Sequence, residues 1–303
     1  MKKKLALLCA ASAMGSAAPA CAQSGPFAAA PVQIADDTTL DLIVDGMLRY
    51  ETVSQPDTPL QDADALTFRM RSGAELVSHG FFVLGEAEAT LAIVDNYNDT
   101  IPGNGIEPYP VVPDPENVEL NRLQIGYKSK AGTLTVGRQR IIHDDHRFVG
   151  NVGWRQNEQT FDAVRAQGKI GPVALDATYA ISQRTIFGID SPNAHFDGDM
   201  ILLNGGIDVK IAQVKAFAYL LDYDEEKPGR LVYSSQSYGF RAMGAVPIGE
   251  TFKLDYLASY ARQSDYGDNP VSYDADYLNG EAGFVDGDGC PNADYASDDH
   301  RIK

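Results

Sequence analysis

The stretch Leu40–Glu51, LDLIVDGMLRYE, places Leu40, Leu42, Val44, Gly46, Leu48 and Tyr50 on even positions, and Asp41, Asp45, Arg49 and Glu51 on odd ones. Successive side chains of an extended strand point to opposite faces, so this segment carries one apolar and one polar face along its whole length. Working outward, the same period returns. Leu66, Phe68 and Met70 alternate with Thr67, Arg69 and Arg71, and Phe81, Val83, Ala87, Ala89, Leu91 and Ile93 with Glu86, Glu88 and Thr90. Leu123, Ile125 and Tyr127 alternate with Arg122, Gln124 and Lys128, and Val173, Leu175, Ala177, Tyr179 and Ile181 with Asp176 and Thr178. Further strands are expected near 200–209, 213–222, 231–246, 252–264 and 271–283, giving about twelve in all.

The connections alternate in length. Short turns fall at 78–80, 129–132, 168–172, 209–212 and 247–251; longer loops fall at 54–63, 95–117, 142–159, 188–199, 222–230 and 265–270. Short turns on one side and long loops on the other, with one-sided strands, read as an all-β antiparallel transmembrane barrel. No interior segment has the composition of a linker, so residues 39–284 are taken as one barrel domain.

The flanks read differently. Lys2, Lys3 and Lys4, an apolar run from Leu5 to Ala13 and the small residues Ala20 and Ala22 form a cleavable secretory signal over 1–22. A lipoprotein anchor at Cys21 fits less well, because Ala18 and Pro19 stand where a leucine-led lipobox is expected. Residues 23–38 read as a flexible lead. Residues 285–303 read as an irregular acidic tail, truncated or frame-shifted, because they hold no amphipathic final strand and no terminal aromatic residue.

The formal net charge is −17, about −20 once the signal lysines leave, and this argues against nucleic acid as a partner. Cys9 and Cys21 leave with the signal, so Cys290 alone remains; neither an intrachain disulfide nor a thiolate metal cluster is expected. After the signal no apolar run reaches the length of a helical membrane span.

The runs YNDTIPGNGIEPYPVVPDPENVELNRLQIGY (97–127), TLTVGRQRI (133–141), RFVGNVGWRQNEQTFDAV (147–164) and RTIFGID (184–190) resemble the alginate export family of Gram-negative outer-membrane barrels. The resemblance covers about residues 40–260. It implies an outer-membrane location amid lipid and lipopolysaccharide, and passage of an anionic polysaccharide or smaller anion through an arginine-lined lumen. The family's founding members carry about eighteen strands, so the twelve or so seen here read as an incomplete set of a barrel of about 16–18 strands.

Arg69, Arg71, Arg122 and Lys128 oppose apolar faces and are the cleanest candidates for lining a pore. Arg138 and Arg140 share parity with Leu134 and Val136, which conflicts with a lumen position unless a bulge near Gly137 shifts the register. Arg147 and Arg155 lie with Trp154, the only tryptophan, in a loop that either folds inward to constrict the channel or caps it. Guanidinium forks match carboxylates, so these eight cations are the candidate anion-binding set.

Asp45, Glu51, Glu86 and Glu88 share the polar face; cross-strand pairing with arginine is their expected role, rather than acid–base catalysis. His143-Asp144-Asp145-His146 lacks distant ligands at metal spacing and reads as solvated loop charge. Asp286-Gly287-Asp288-Gly289 lacks the downstream Glu of a calcium loop. No cofactor, metal or catalysis is expected. The competing readings are a secreted or surface β-protein that binds or cleaves polysaccharide, and a non-functional barrel fragment. The first predicts a soluble chain, and the second a chain that does not close.

Overall fold

Alternating sequence becomes alternating burial wherever a strand separates two media. In the computed structural model, which describes residues 31–224, 229–249 and 252–286, thirteen strands form one sheet in which each strand pairs with its neighbours in the chain. They are β1 (Val32–Ala35), β2 (Thr38–Val53), β3 (Ala63–Ser78), β4 (Phe81–Asn96), β5 (Asn117–Lys128), β6 (Gly132–Gln139) and β7 (Thr160–Ile170), followed by β8 (Val173–Arg184), β9 (His195–Val209), β10 (Ala212–Tyr223), β11 (Ser235–Ile248), β12 (Phe252–Asp265) and β13 (Asp274–Asp286). Every pairing is antiparallel, and β1 and β13 are not joined to each other among the described residues.

The all-β reading therefore holds, with thirteen strands where about twelve were expected. The additional one is β1, which lies in the stretch read as a flexible lead. β13 extends to Asp286, into the stretch read as tail. The strand expected from 231 begins at Ser235, because Arg230–Tyr233 wind into a 3₁₀ turn. The expected signal peptide, Cys290 and the acidic residues after Asp286 lie outside the described residues.

Connections alternate as the spacing predicts. Two residues, His79 and Gly80, join β3 to β4, both with positive φ (52° and 86°), the conformation that tight hairpins need. A Cβ on Gly80 would lie 2.7 Å from the Lys128 carbonyl oxygen, so glycine is required there on steric grounds too. At the other end the described connections run through 54–62, 97–116, 140–159, 185–194 and 266–273, with 229–234 leading into β11.

The outer face is apolar. Leu42, Val44 and Leu48 on β2, Leu91 on β4, Val118 and Ile125 on β5, Ile181 on β8 and Leu278 on β13 are each more than half exposed. A continuous apolar band of this kind is unfavourable in water and favourable in lipid, where paired strands also satisfy the backbone. It does not suit the soluble β-protein considered above. No helix among the described residues is long and apolar enough to cross a membrane.

The inner face divides into two sectors. On β3–β5 it is polar and charged: Thr67, Arg69, Arg71, Glu86, Glu88, Thr90 and Asn121 are all buried. On β7–β12 it is apolar near the long-loop end, where Phe161, Ala180, Met200, Leu202, Phe217, Tyr219 and Ala261 join Ile141 and Val149 of the loop in one cluster. Gly239 allows the Phe217 ring to lie across the neighbouring strand, since a Cβ there would sit 2.4 Å from the ring.

Candidate solute pathway

Strand parity sends Arg69 and Arg71 inward from β3, opposite the exposed Phe68 and Met70. Arg122 arrives by a different route. In the β4–β5 ladder Glu86 pairs with Arg122 and Ala87 with Leu120, so Asn121 is an extra, bulged residue. Both Asn121 and Arg122 then bond Glu86: Asn121 Nδ2 donates at 2.8 Å, and Arg122 donates through Nε at 2.9 Å and a terminal nitrogen at 2.7 Å.

The 140–159 loop folds inward, against the inner face of the sheet. Gln156, Asn157 and Glu158 are almost entirely buried. Gln156 donates to the Thr67 carbonyl at 2.9 Å and hydroxyl at 2.7 Å, and its backbone N–H reaches Asp114 at 3.1 Å. Asn157 accepts from Thr90 at 2.9 Å and donates to the Pro115 carbonyl at 3.2 Å. Glu158 takes a two-pronged bond from Arg140 at 2.8 and 2.6 Å, with Asn121 and Asn151 donating at 2.5 and 2.8 Å. Burial alone would raise the Glu158 pKa, but the charges of Arg140 and Arg71 and these donated bonds outweigh it and hold it at about 2.

The other half of the loop docks on the opposite sector. His143 Nδ1 lies 3.1 Å from the Tyr219 hydroxyl, Asp144 pairs with Lys215 at 2.5 Å, and Asp145 pairs with Arg241 at 2.7 Å. Phe148 packs against Phe217 and edge-on to Tyr277. His143, Asp144 and Asp145 are thus used in docking and are not solvated loop charge, while His146 is exposed; no group of metal-binding residues stands out among the described residues.

Between the loop and β2–β5 lies a cavity of 820 Å³, lined on the strand side by Ile43, Asp45, Arg69, Arg71, Glu86 and Arg122, and on the loop side by residues including Arg140, Ile142, Phe148, Val152 and Trp154. Its arginines are partnered in part. Arg69 pairs with Asp45, Arg71 with Glu88, and Arg71 also lies 3.5 Å from Glu158. Arg69 Nε and Nη1 and Arg71 Nη2 are enclosed and have no hydrogen-bond acceptor among the described residues.

The other candidates lie elsewhere. Arg155 bridges Glu51 and Asp114 at 3.1 and 3.4 Å and stacks on Trp154, its guanidinium carbon 4.2 Å from the ring centre. Arg147 stacks on Tyr277 at 4.9 Å. Lys128 is exposed at the short-turn end of β5, away from the cavity. Arg138 corrects its expectation: β6 carries no register shift, so Arg138 keeps the parity of the exposed Leu134 and Val136. There it pairs with Asp162 across β6–β7 at 2.8 Å. Arg140, just beyond the end of β6, is free of strand parity and turns to Glu158. Asp114, Gln156 and Asn157 carry the loop's attachment, and sequence reading did not single them out.

Residues 49–185 match the alginate export family. No curated protein is significantly similar in sequence. Among solved structures, Acinetobacter baumannii OccAB3 superimposes with a TM-score of 0.61 at 15% identity, over 84% of this chain and 64% of that one. The BenF-like porin of Pseudomonas fluorescens Pf-5 gives 0.60 at 12% identity, over 82% and 64%. Pseudomonas aeruginosa OccK2 (OpdF) in complex with glucuronate gives 0.58 at 13% identity, over 82% and 61%. The chain therefore spans less than two thirds of the length of each of these proteins. The fold is that of outer-membrane porins, and with the family match it supports an outer-membrane location.

Proposed function

We propose that this chain, matching the alginate export family over residues 49–185 on a porin fold, forms part or all of a passive outer-membrane path for small anionic solutes, without catalysis. The observation that carries this reading is the set of enclosed Arg69 and Arg71 donors without acceptors beside the cavity under the inward loop. An unmet buried donor costs about 1–3 kcal/mol, so turning either guanidinium toward an oxyanion in the cavity is favourable.

The attraction is local rather than global. Four arginines and two carboxylates line the cavity, and Glu88 and Glu158 pair with those arginines from behind. Charge is nearly balanced, so a solute is oriented by donated hydrogen bonds and is not held by a strong field. Weak holding is what conduction requires. The inward loop favours small solutes over a polysaccharide chain, and the glucuronate bound to OccK2 is a solute of suitable chemistry. The outer apolar face and its Arg138–Asp162 pair would meet lipid and lipopolysaccharide.

Liposomes reconstituted with the full chain test the reading. Uptake of glucuronate well above that of a neutral hexose of similar size is expected. Equal uptake of the two, or uptake of alginate oligomers in preference to glucuronate, would contradict it.

A further inference from the structure

Lysine and arginine are segregated in this chain. Of the six lysines among the described residues, five lie in or within two positions of a short turn. They are Lys128 and Lys130 at β5–β6, Lys169 at β7–β8, Lys210 at β9–β10 and Lys253 at β11–β12. All but Lys253 are fully exposed. The sixth, Lys215, pairs with Asp144 of the inward loop at 2.5 Å. Neighbouring strands lie about 4.8 Å apart, so successive hairpins are about 10 Å apart and their lysines form a row along one edge of the sheet.

Each of these hairpins also sets an exposed apolar side chain next to a lysine. Tyr127 precedes Lys128, Ile170 follows Lys169, Ile211 follows Lys210 and Phe252 precedes Lys253. Ile170 is 72% exposed and Ile211 62%. Tyr127, Ile170 and Phe252 continue the lipid-facing parity of their strands. A lysine beside the last such residue has a stem long enough to pass round the edge and set its ammonium at the level of lipid phosphates. The opposite membrane edge differs in sign. There outward tyrosines donate to aspartates: Tyr50 to Asp64 at 2.6 Å, Tyr260 to Asp276 at 2.8 Å, and Tyr179 to Asp199.

We infer that the short-turn edge of β5–β12 is a docking surface for anionic glycerophospholipid. The ammonium groups meet the phosphates, and the neighbouring apolar side chains meet the upper acyl chains. Outer-membrane barrels turn their short connections to the periplasm, so the surface belongs to the leaflet on that side. Lysine suits this task better than arginine, because a mobile point charge follows fluid headgroups while a planar fork fixes one geometry. Attraction of this kind accumulates over several lysines and weakens with salt. It holds whatever solute passes, since no lysine lines the cavity.

The full chain, folded in a non-ionic detergent, is incubated with equal amounts of phosphatidylglycerol and phosphatidylcholine of the same acyl chains. Lipid that co-elutes with the protein is then quantified by mass spectrometry. About five times more phosphatidylglycerol than phosphatidylcholine is expected at low salt, falling to near parity at about 0.5 M salt. The variant carrying Lys128→Gln, Lys130→Gln, Lys169→Gln and Lys210→Gln should lose most of the preference, while Lys215→Gln keeps it. Equal retention of the two lipids by the wild type overturns the proposal, as does a preference that neither salt nor the fourfold variant reduces. Loss in Lys215→Gln as large as in the fourfold variant also overturns it, because net charge alone would then explain the effect. Glycerol 1-phosphate, which has the phosphate without acyl chains, should leave the bound lipid in place. Displacement by an equal concentration of it would reveal a site for free phosphate esters and overturn the lipid assignment.

Discussion

Asp114 is fully buried and accepts from three sources: the Gln156 backbone at 3.1 Å, Arg49 at 2.6 Å and Arg155 at 3.4 Å. It ties the 97–116 loop to the inward loop and to β2. Asp114→Asn turns one of its oxygens into a donor facing Arg49. The expected cost is about 1–3 kcal/mol in loop attachment, seen as higher and noisier single-channel conductance than wild type. Unaltered conductance would mean that the loop is held without it. Glu158 gives the matching pH prediction. Its folded pKa of about 2 lies below the ordinary glutamate value of 4.5, so its contribution is fully present above pH 4.5 and is lost as pH falls toward 2. Trp154 emission should therefore stay level from pH 7 to near the ordinary glutamate value and change below it, and Glu158→Gln should abolish that low-pH step. A change completed above pH 5 would contradict the assignment. Single residues such as Asp114 were not legible in the sequence, because a buried acceptor in an irregular loop has neither periodicity nor a characteristic spacing.

At the scale of the element, strand parity governs what a substitution costs. Val44 is 73% exposed on the outer face of β2, and Asp41 lies on the opposite parity. Val44→Arg should destabilise the folded protein in liposomes by about 2–4 kcal/mol, as expected near the membrane midplane, with Asp41→Asn costing far less. Denaturant unfolding from liposomes measures both, and equal costs would refute the two-faced reading. This level was the most legible, since period two is written in the residues themselves. Arg69 and Arg71 could be placed from Phe68 and Met70 alone. Parity also identified the difficulty at Arg138, which the structure resolves on the Val136 side, where Asp162 compensates its charge. Two features escaped. The bulge at Asn121 leaves no mark in hydropathy, and β1 was hidden in a short polar stretch. The direction in which the 140–159 loop folds depends on partners more than sixty positions away, such as Tyr219 for His143, and local sequence does not carry such information.

The whole molecule combines an apolar exterior, a charge-balanced polar sector, an aromatic sector and a loop that bridges the two. Its acidity, −17 overall, is no guide to the cavity, beside which three enclosed nitrogens of Arg69 and Arg71 lack acceptors among the described residues. The proposed anion preference of the path rests on these donors. Reversal potential across a planar bilayer under a potassium chloride gradient, with the full chain inserted, tests it most directly. A potential displaced toward the chloride equilibrium value is expected, with a smaller displacement in the Arg69→Gln, Arg71→Gln double variant. A wild-type potential displaced toward the potassium value would contradict it.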